Sequence, residues 1–252
     1  MPNVLLLGGT TEASALARLL AEQGVETTLS YAGRTDNPRQ QPVPVRIGGF
    51  GGVEGLARYL REQRVTHLVD ATHPFAATMS ANAVMAAQSA GVPLIALTRP
   101  AWCPTEEDRW TRVADIAGAV AALAGPAKRI LLALGRMHVA AFAAQPQHHY
   151  VLRFVDVPGA PPALPDHHLI VDRGPFTPEA DHALMAAHEI DLVVCKNAGG
   201  SGAEAKLIAA RRRGIPVLMI DRPALPARRE VARPEAVLAW LGHAPSTAKR
   251  GV

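Results

Sequence analysis

Apolar residues fall along the chain in short unbroken runs, separated by stretches where they recur every three or four positions. Residues 4–7 form the first run, and Gly8-Gly9 closes it. A run of this length bounded by glycine predicts a strand buried on both faces. Ala13, Leu16, Ala17 and Leu20 follow at helical spacing, with Thr10 or Thr11 as the cap, Glu12 in the first turn and Gly24 as the stop. Residues 25–30 make a second run, so the chain opens as strand, helix, strand, the unit of a parallel sheet covered by helices. The alternation continues with a helix over 55–63, a strand over 67–71, a helix over 76–90 and a strand over 92–97. A loop through 100–104 and a helix over 116–123 complete the first half.

Gly125-Pro126 is the strongest punctuation near the middle, and after it residues 129–134 and Gly135 repeat the strand-to-glycine pattern. The decapeptide Gly91-Val92-Pro93-Leu94-Ile95-Ala96-Leu97-Thr98-Arg99-Pro100 parallels Gly214-Ile215-Pro216-Val217-Leu218-Met219-Ile220-Asp221-Arg222-Pro223. Each copy follows a helix, and each helix follows a strand, over 67–71 in one case and 192–195 in the other. The pattern predicts an α/β protein of two Rossmann-like parallel-sheet domains, 1–126 and 127–252, with a ligand cleft between them. In open parallel sheets ligands sit outside the carboxyl ends of the strands. Residues 8–12, 30–35, 70–74, 135–138 and 196–202 are therefore the positions of interest.

Composition narrows the function classes. At 252 residues, with 48% apolar and 19% charged residues, the chain reads as a globular protein able to build a sizeable core. Asp70 to Arg99 encloses no charged residue, but Thr72, His73, Pro74, Asn82, Gln88, Gly91 and Pro93 break the stretch. No span of about 20 apolar residues remains, so no membrane segment is expected. The first residues lack a basic segment and a long apolar core, which predicts a cytoplasmic protein without a signal peptide. Cys103 and Cys195 are too few and too far apart for a disulfide framework or a zinc-cysteine site. His148-His149 and His167-His168 read as loop histidines, because neighbours on a strand point to opposite faces and no carboxylate pattern supports a metal site. The net charge of +4 suits an anionic ligand, and no nucleic-acid motif accompanies it. Arg211-Arg212-Arg213 ends a predicted helix, where cations complement the dipole. A monomer or small homo-oligomer is expected.

Candidate chemistry begins at Gly8-Gly9-Thr10-Thr11-Glu12-Ala13, where loop amides and a helix N-terminus suit a phosphate. As a G-x-G-x-x-G fingerprint it is imperfect, with Thr10 and Ala13 at the second and third glycine positions, and a simple capped turn is the plain alternative. About 20 residues on, an NAD enzyme usually places an acid for the ribose hydroxyls. Here Ser30, Gly33, Arg34 and Thr35 offer hydroxyls and a guanidinium instead, which favours the 2′-phosphate of NADP(H), unless Arg34 is a surface arginine. Lys196 ends a strand before a glycine-rich turn containing Ser201 and Gly202; it either orients a carboxylate or packs its stem, while Lys206 is expected on the surface. His73 either donates to a ligand or holds the turn before Pro74, and Asp70 is expected to shape the Thr72 turn. The Tyr-x-x-x-Lys pair of short-chain dehydrogenases is missing: Tyr31, Tyr59 and Tyr150 are followed four residues later by Thr35, Gln63 and Phe154.

Four segments occur in order: Leu7-Gly8-Gly9-Thr10-Thr11-Glu12-Ala13, Asp70-Ala71-Thr72-His73-Pro74-Phe75-Ala76, Arg173-Gly174-Pro175-Phe176, and Lys196-Asn197-Ala198-Gly199-Gly200-Ser201-Gly202. With the endings Arg99-Pro100 and Arg222-Pro223, they resemble the precorrin-6A reductase family over residues 2–240, cobalt-precorrin-6A reductases being close relatives. That resemblance implies NADPH-dependent reduction of a C=C bond in an anionic tetrapyrrole, precorrin-6A, to its dihydro product in cobalamin biosynthesis, with no metal or flavin. It implies that Gly8, Gly9, Thr10, Thr11 and Glu12 hold the pyrophosphate, and Ser30, Gly33, Arg34 and Thr35 the 2′-phosphate side. Thr72, His73 and Pro74 would lie beside the ribose or nicotinamide, while Lys196, Ser201 and Gly202 would close on cofactor or substrate. Lys196 and His73 are the candidate catalytic groups. Ala198 stands where family members often carry serine. A non-catalytic NADP-sensing or corrin-binding protein of the same fold is the competing reading.

Overall fold

The computed structural model describes residues 1–32, 40–172 and 174–243. The chain divides into two units, Met1–Pro100 with Ala224–Val252, and Ala101–Pro223. The first contains β1 (Asn3–Leu7), α1 (Thr11–Glu22), β2 (Glu26–Tyr31), β3 (Val45–Ile47), α2 (Gly52–Glu62), β4 (His67–Asp70), α3 (Ala77–Ala90) and β5 (Leu94–Leu97). The second contains β6 (Trp110–Val113), α4 (Ile116–Ala121), β7 (Arg129–Ala133), β8 (His149–Phe154), β9 (His167–Val171), α5 (Pro178–Ala187), β10 (Leu192–Lys196), α6 (Ala205–Arg212) and β11 (Val217–Ile220). The chain then returns to the first unit with β12 (Glu230–Val231) and α7 (Pro234–His243).

Each unit holds one six-stranded sheet whose strands all pair in parallel, ordered β3-β2-β1-β4-β5-β12 in the first and β9-β8-β7-β10-β11-β6 in the second. Both have the doubly wound order of a Rossmann sheet, with its reversal beside the first strand. The sixth strand of each sheet comes from the other half of the sequence. β6 follows β5 along the chain but pairs with β11, and β12 follows β11 but pairs with β5. The expected division at residue 126 is therefore corrected: Gly125-Pro126 separates two repeats of the sequence, whereas the units exchange their last strand and helix. The crossings lie at Pro100 and Pro223, the ends of the matching decapeptides. β5 ends at Leu97 and β11 at Ile220, three residues before these prolines, and a proline has no N–H with which to resume a ladder.

Burial follows the strand period. In β1, Val4 and Leu6 face α1 and α7, packing with Leu16, Leu20, Val237 and Trp240. Leu5 and Leu7 face the other way, against Leu56 and Leu60 of α2 and Ala83 and Ala87 of α3. In the second unit Leu131, Val151, Val193 and Val217 pack on Met185 of α5 and Leu207 of α6. Buried Tyr150 donates to the carbonyls of Phe142 (3.2 Å) and Gln145 (2.9 Å), tying β8 to the 3-10 segment Arg136–Ala144. The histidine pairs are corrected from loops to the sheet: His149 lies on β8, and His167 and His168 on β9, with buried His148 just before β8. Their positions at the start of edge-side strands carry too little apolar alternation for the sequence to mark them. Among the described residues no helix is long and apolar enough to cross a membrane.

Candidate active site

The reversal of the first sheet lies between β1 and β4, and the glycine loop opens there. Gly8 donates its amide to Ser30 O (2.9 Å), and a Cβ on it would stand 2.6 Å from Leu29 Cδ1. Gly9 has φ +124°, a conformation that side chains with a Cβ rarely adopt. Thr10 is the N-cap of α1: its Oγ1 accepts from Ala13 N (3.1 Å) and donates to Ala71 O (2.8 Å). The residue that departs from the glycine fingerprint thus stitches the loop to the end of β4. Thr11 and Glu12 stand in the first turn, where amides have no intrahelical acceptor and suit an anionic oxygen. Glu12 would oppose such an oxygen, but Arg99 Nη2 lies 3.1 Å from its carboxylate and Thr11 Oγ1 donates to it (3.1 Å).

Ser30, buried at the end of β2, receives a hydrogen bond from Arg46 Nη1 (3.2 Å). Arg46 also donates to Gly49 O (2.7 Å), and its guanidinium lies 3.8 Å from the centre of the Phe50 ring. This arginine was not anticipated from the sequence, since β3 is short and half exposed. Gly33, Arg34 and Thr35, like Arg173, lie outside the described residues.

At the end of β4, Asp70 collects four hydrogen bonds. Thr72 N (3.1 Å) and Thr72 Oγ1 (2.7 Å) donate to Oδ1, while Ser80 Oγ (2.6 Å) and Arg228 donate to Oδ2. Both partners of the Asp70–Arg228 pair are buried. The expected Thr72 turn is present, but Arg228 was missed, because only the return of the chain to the first unit brings it there. His73, half-buried, accepts from Phe75 N at Nδ1 (3.2 Å), so it holds the turn around buried Pro74 and its neutral ring carries the proton on Nε2.

The equivalent reversal in the second sheet lies between β7 and β10. Lys196 is half-buried at the end of β10. Next to it, buried Asn197 exchanges hydrogen bonds with the backbone of Trp102 (2.8 and 2.9 Å), and Trp102 Nε1 donates to Gly200 O (2.9 Å). Gly199 and Gly200 take φ of 70° and 71°, and exposed Ser201 and Gly202 begin a 3-10 turn. Arg222 donates to the carbonyls of Asn197 (2.9 Å) and Ala198 (3.1 Å). The Arg-Pro endings therefore brace a loop at the sheet reversal of each unit, Arg99 through Glu12 and Arg222 through the turn itself. Lys206 is corrected from the surface to the interior: its ammonium donates to Ala203 O and sits 4.9 Å from the Trp102 ring centre. Burial pushes its pKa down. The helical spacing alone could not reveal that Trp102, from the crossing segment, would cover it.

The structure thus gathers Gly8, Gly9, Thr10, Thr11, Glu12, Ser30, Thr72, His73 and Pro74 at the carboxyl end of one sheet, and Lys196, Ser201 and Gly202 at that of the other. Two doubly wound sheets with polar loops at their reversals define a two-unit α/β protein of the Rossmann-like class. Within that class, the family model described as Precorrin-6x reductase CbiJ/CobK matches residues 3–242. The chain belongs to the precorrin-6x reductase family. It is 56% identical over 252 residues to the precorrin-6A reductase of Rhodobacter capsulatus, covering 100% of both chains. With the precorrin-6A reductase of Mycobacterium tuberculosis it shares 45% over 228 residues, 90% of this chain and 91% of that one. The solved structure of a CobK precorrin-6A reductase superposes with a TM-score of 0.92 at 56% identity, covering 96% of each chain.

Proposed function

We propose that this chain reduces precorrin-6A with NADPH, saturating one C=C bond of the macrocycle in cobalamin biosynthesis, in the cytoplasm and as a monomer or small homo-oligomer. The observation that carries the reading is the glycine loop at the β1–β4 reversal, bonded through Thr10 to the end of β4. When bound, the reduced nicotinamide supplies a hydride to a ring carbon, and a proton completes the dihydro product. The amides of Thr11 and Glu12 would take the pyrophosphate oxygens, with Gly8 and Gly9 letting the backbone approach closely. Ser30, with Gly33, Arg34 and Thr35, would take the 2′-phosphate side, and Arg46 holds the Ser30 hydroxyl in place. Thr72 and Pro74 would line the ribose and nicotinamide, and His73 would donate to a ligand from Nε2. Lys196 would orient a substrate carboxylate, while Ser201 and Gly202 supply a turn that closes on cofactor or substrate. A cobalt-free substrate is favoured by likeness: the Rhodobacter and Mycobacterium precorrin-6A reductases share 56% and 45% identity, the cobalt-precorrin-6A reductase of Priestia megaterium 31%.

The cofactor assignment is tested by comparing kcat/KM for NADPH and NADH in the wild type and in Arg34→Ala. The preference for NADPH should fall about tenfold or more, the scale of one lost charge-assisted contact of about 1.5–3 kcal/mol. An unchanged preference would remove Arg34 from the 2′-phosphate site, and a wild-type preference for NADH would overturn the NADPH assignment.

A further inference from the structure

The turn that follows β10 is held from inside the second unit by two side chains to which the roles above give no task. Trp102 Nε1 donates to Gly200 O (2.9 Å), and the Trp102 backbone exchanges hydrogen bonds with buried Asn197 (2.8 and 2.9 Å). Lys206 donates to Ala203 O, and its ammonium lies 4.9 Å from the centre of the Trp102 ring. The two donors therefore pin the carbonyls on either side of the exposed pair Ser201-Gly202. Gly199 and Gly200 take φ of 70° and 71°, a region that glycine enters without steric cost and leaves as readily. Their backbone alone does little to keep the turn in one shape. In the first unit the turn after β4 is held by a carboxylate, that of Asp70; here an indole and an ammonium do the holding.

A lysine at position 206 is unfavourable on two counts. It is only 6% exposed, and an ammonium buried without a carboxylate partner loses its hydration uncompensated. Among the described residues no carboxylate pairs with it; Asp181 of α5 is engaged by Arg153. Lys206 is also the second residue of α6, in the turn where the helix dipole disfavours a cation. An apolar side chain of the same length would pack there without either cost. What the ammonium gains is Ala203 O and the face of Trp102, and both contacts lead to the turn. Its burial keeps it from a dissolved ligand, so any part it plays in the reaction runs through that turn.

We propose that Lys206 and Trp102 are positioning residues, which fix the turn 199–203 in the shape that engages an anionic oxygen of a bound ligand, a carboxylate of the macrocycle or a phosphate of the cofactor. The proposal rests on the reading that this turn closes on cofactor or substrate. It is tested with Lys206→Met and with Trp102→Phe, which keeps a ring beside the ammonium but deletes the Nε1 donor. Dissociation constants are measured by separate titrations with NADPH and with precorrin-6A. At least one should rise about tenfold, the scale of a lost charge-assisted contact, and the ligand affected is the one the turn holds. The turnover number at saturation should change less than the affinity, since the contact is made in the ground state as well. The thermal midpoint of Lys206→Met should equal or exceed that of the wild type, because a buried cation is gone. Hydrogen exchange at amides 199–203 should quicken in both variants, while amides of β7 and β10 keep wild-type rates. A purely structural lysine gives the reverse, a lower midpoint with both affinities kept. Rises below about threefold for both ligands overturn the proposal, as does an affinity loss in Lys206→Met that comes with a lower midpoint. Should Lys206→Met not fold, Trp102→Phe carries the same comparison of affinities and exchange. The titrations also separate this role from the reductase reading: a wild type that binds both ligands and never oxidises NADPH refutes the reductase, while weakened binding in the variants still supports the positioning role.

Discussion

Asp70 shows what a single residue does for this site. Its carboxylate holds the Thr72 turn with one oxygen and Ser80 and Arg228 with the other. Replacing Arg228 with Met leaves that carboxylate buried without its cation, a change that typically costs about 3–5 kcal/mol. Arg228→Met should therefore lower the midpoint of urea unfolding strongly and raise the KM for NADPH, and adding Asp70→Asn should recover part of the stability. An Arg228→Met protein as stable as the wild type would show that the pair contributes nothing net. His67 gives a pH signature. Its Nδ1 meets Thr66 Oγ1 at 2.9 Å, its buried Nε2 has no hydrogen-bond partner among the described residues, and Trp240 packs edge-on at 5.1 Å. Burial pushes its pKa below the usual 6.5, so the unfolded chain binds the proton more readily than the native one. The stability His67 confers is present above pH 6.5 and lost as pH falls through that value toward the lower native pKa. Thermal unfolding of His67→Phe should thus show a shallower loss of Tm than the wild type from about pH 7 to pH 5; parallel curves would rule this out. At this scale the sequence marked Thr10, Asp70 and His73 through their place beside strand ends. It hid Arg228 and buried Lys206, because the burial of a charge is decided by partners far away in the chain.

Elements were legible where the hydrophobic pattern was dense. β1, β5, β7 and β10 are built around apolar runs of three or more residues and β4 around Leu68-Val69, and the helices α1 and α3 lie within two residues of their expected bounds. β3, β6 and β12 were not, since they are short sheet-edge strands with exposed positions and little alternation to read. Missing β6 and β12 is also why residue 126 looked like a unit boundary. The exchanged elements carry much of the first core: Val237, Trp240 and Leu241 of α7 pack against α1. At roughly 1.5–3 kcal/mol for each large apolar side chain removed from water, deleting them costs on the order of 5 kcal/mol, about the whole stability of a small domain. A chain ending at residue 223 should lose cooperative unfolding of its first unit, seen as loss of dispersed amide resonances from residues 1–100, while those of residues 101–223 persist. Retained dispersion in both sets would contradict this account of the exchange.

For the whole molecule, the repeat detected in the sequence and the pair of matching sheets are one fact seen twice. Each repeat builds five strands of one sheet and the sixth of the other, so neither repeat is complete by itself. Family membership was legible because the motifs sit at strand ends, where the doubly wound order places ligand contacts, and those ends recur in sequence order. Individual contacts inside each site were not, since Trp102 on Lys206 and Arg46 on Ser30 join segments that no local pattern links. The central claim, that this two-unit chain is an NADPH-consuming reductase of precorrin-6A, is tested most directly by an anaerobic single-turnover mixture of enzyme, NADPH and precorrin-6A. The nicotinamide absorbance and the tetrapyrrole bands are followed together. One NADPH oxidised for each macrocycle converted, with both signals changing at the same rate, is the predicted result. Tight binding of both ligands with the nicotinamide band unchanged would contradict it and point to a sensing or carrier role.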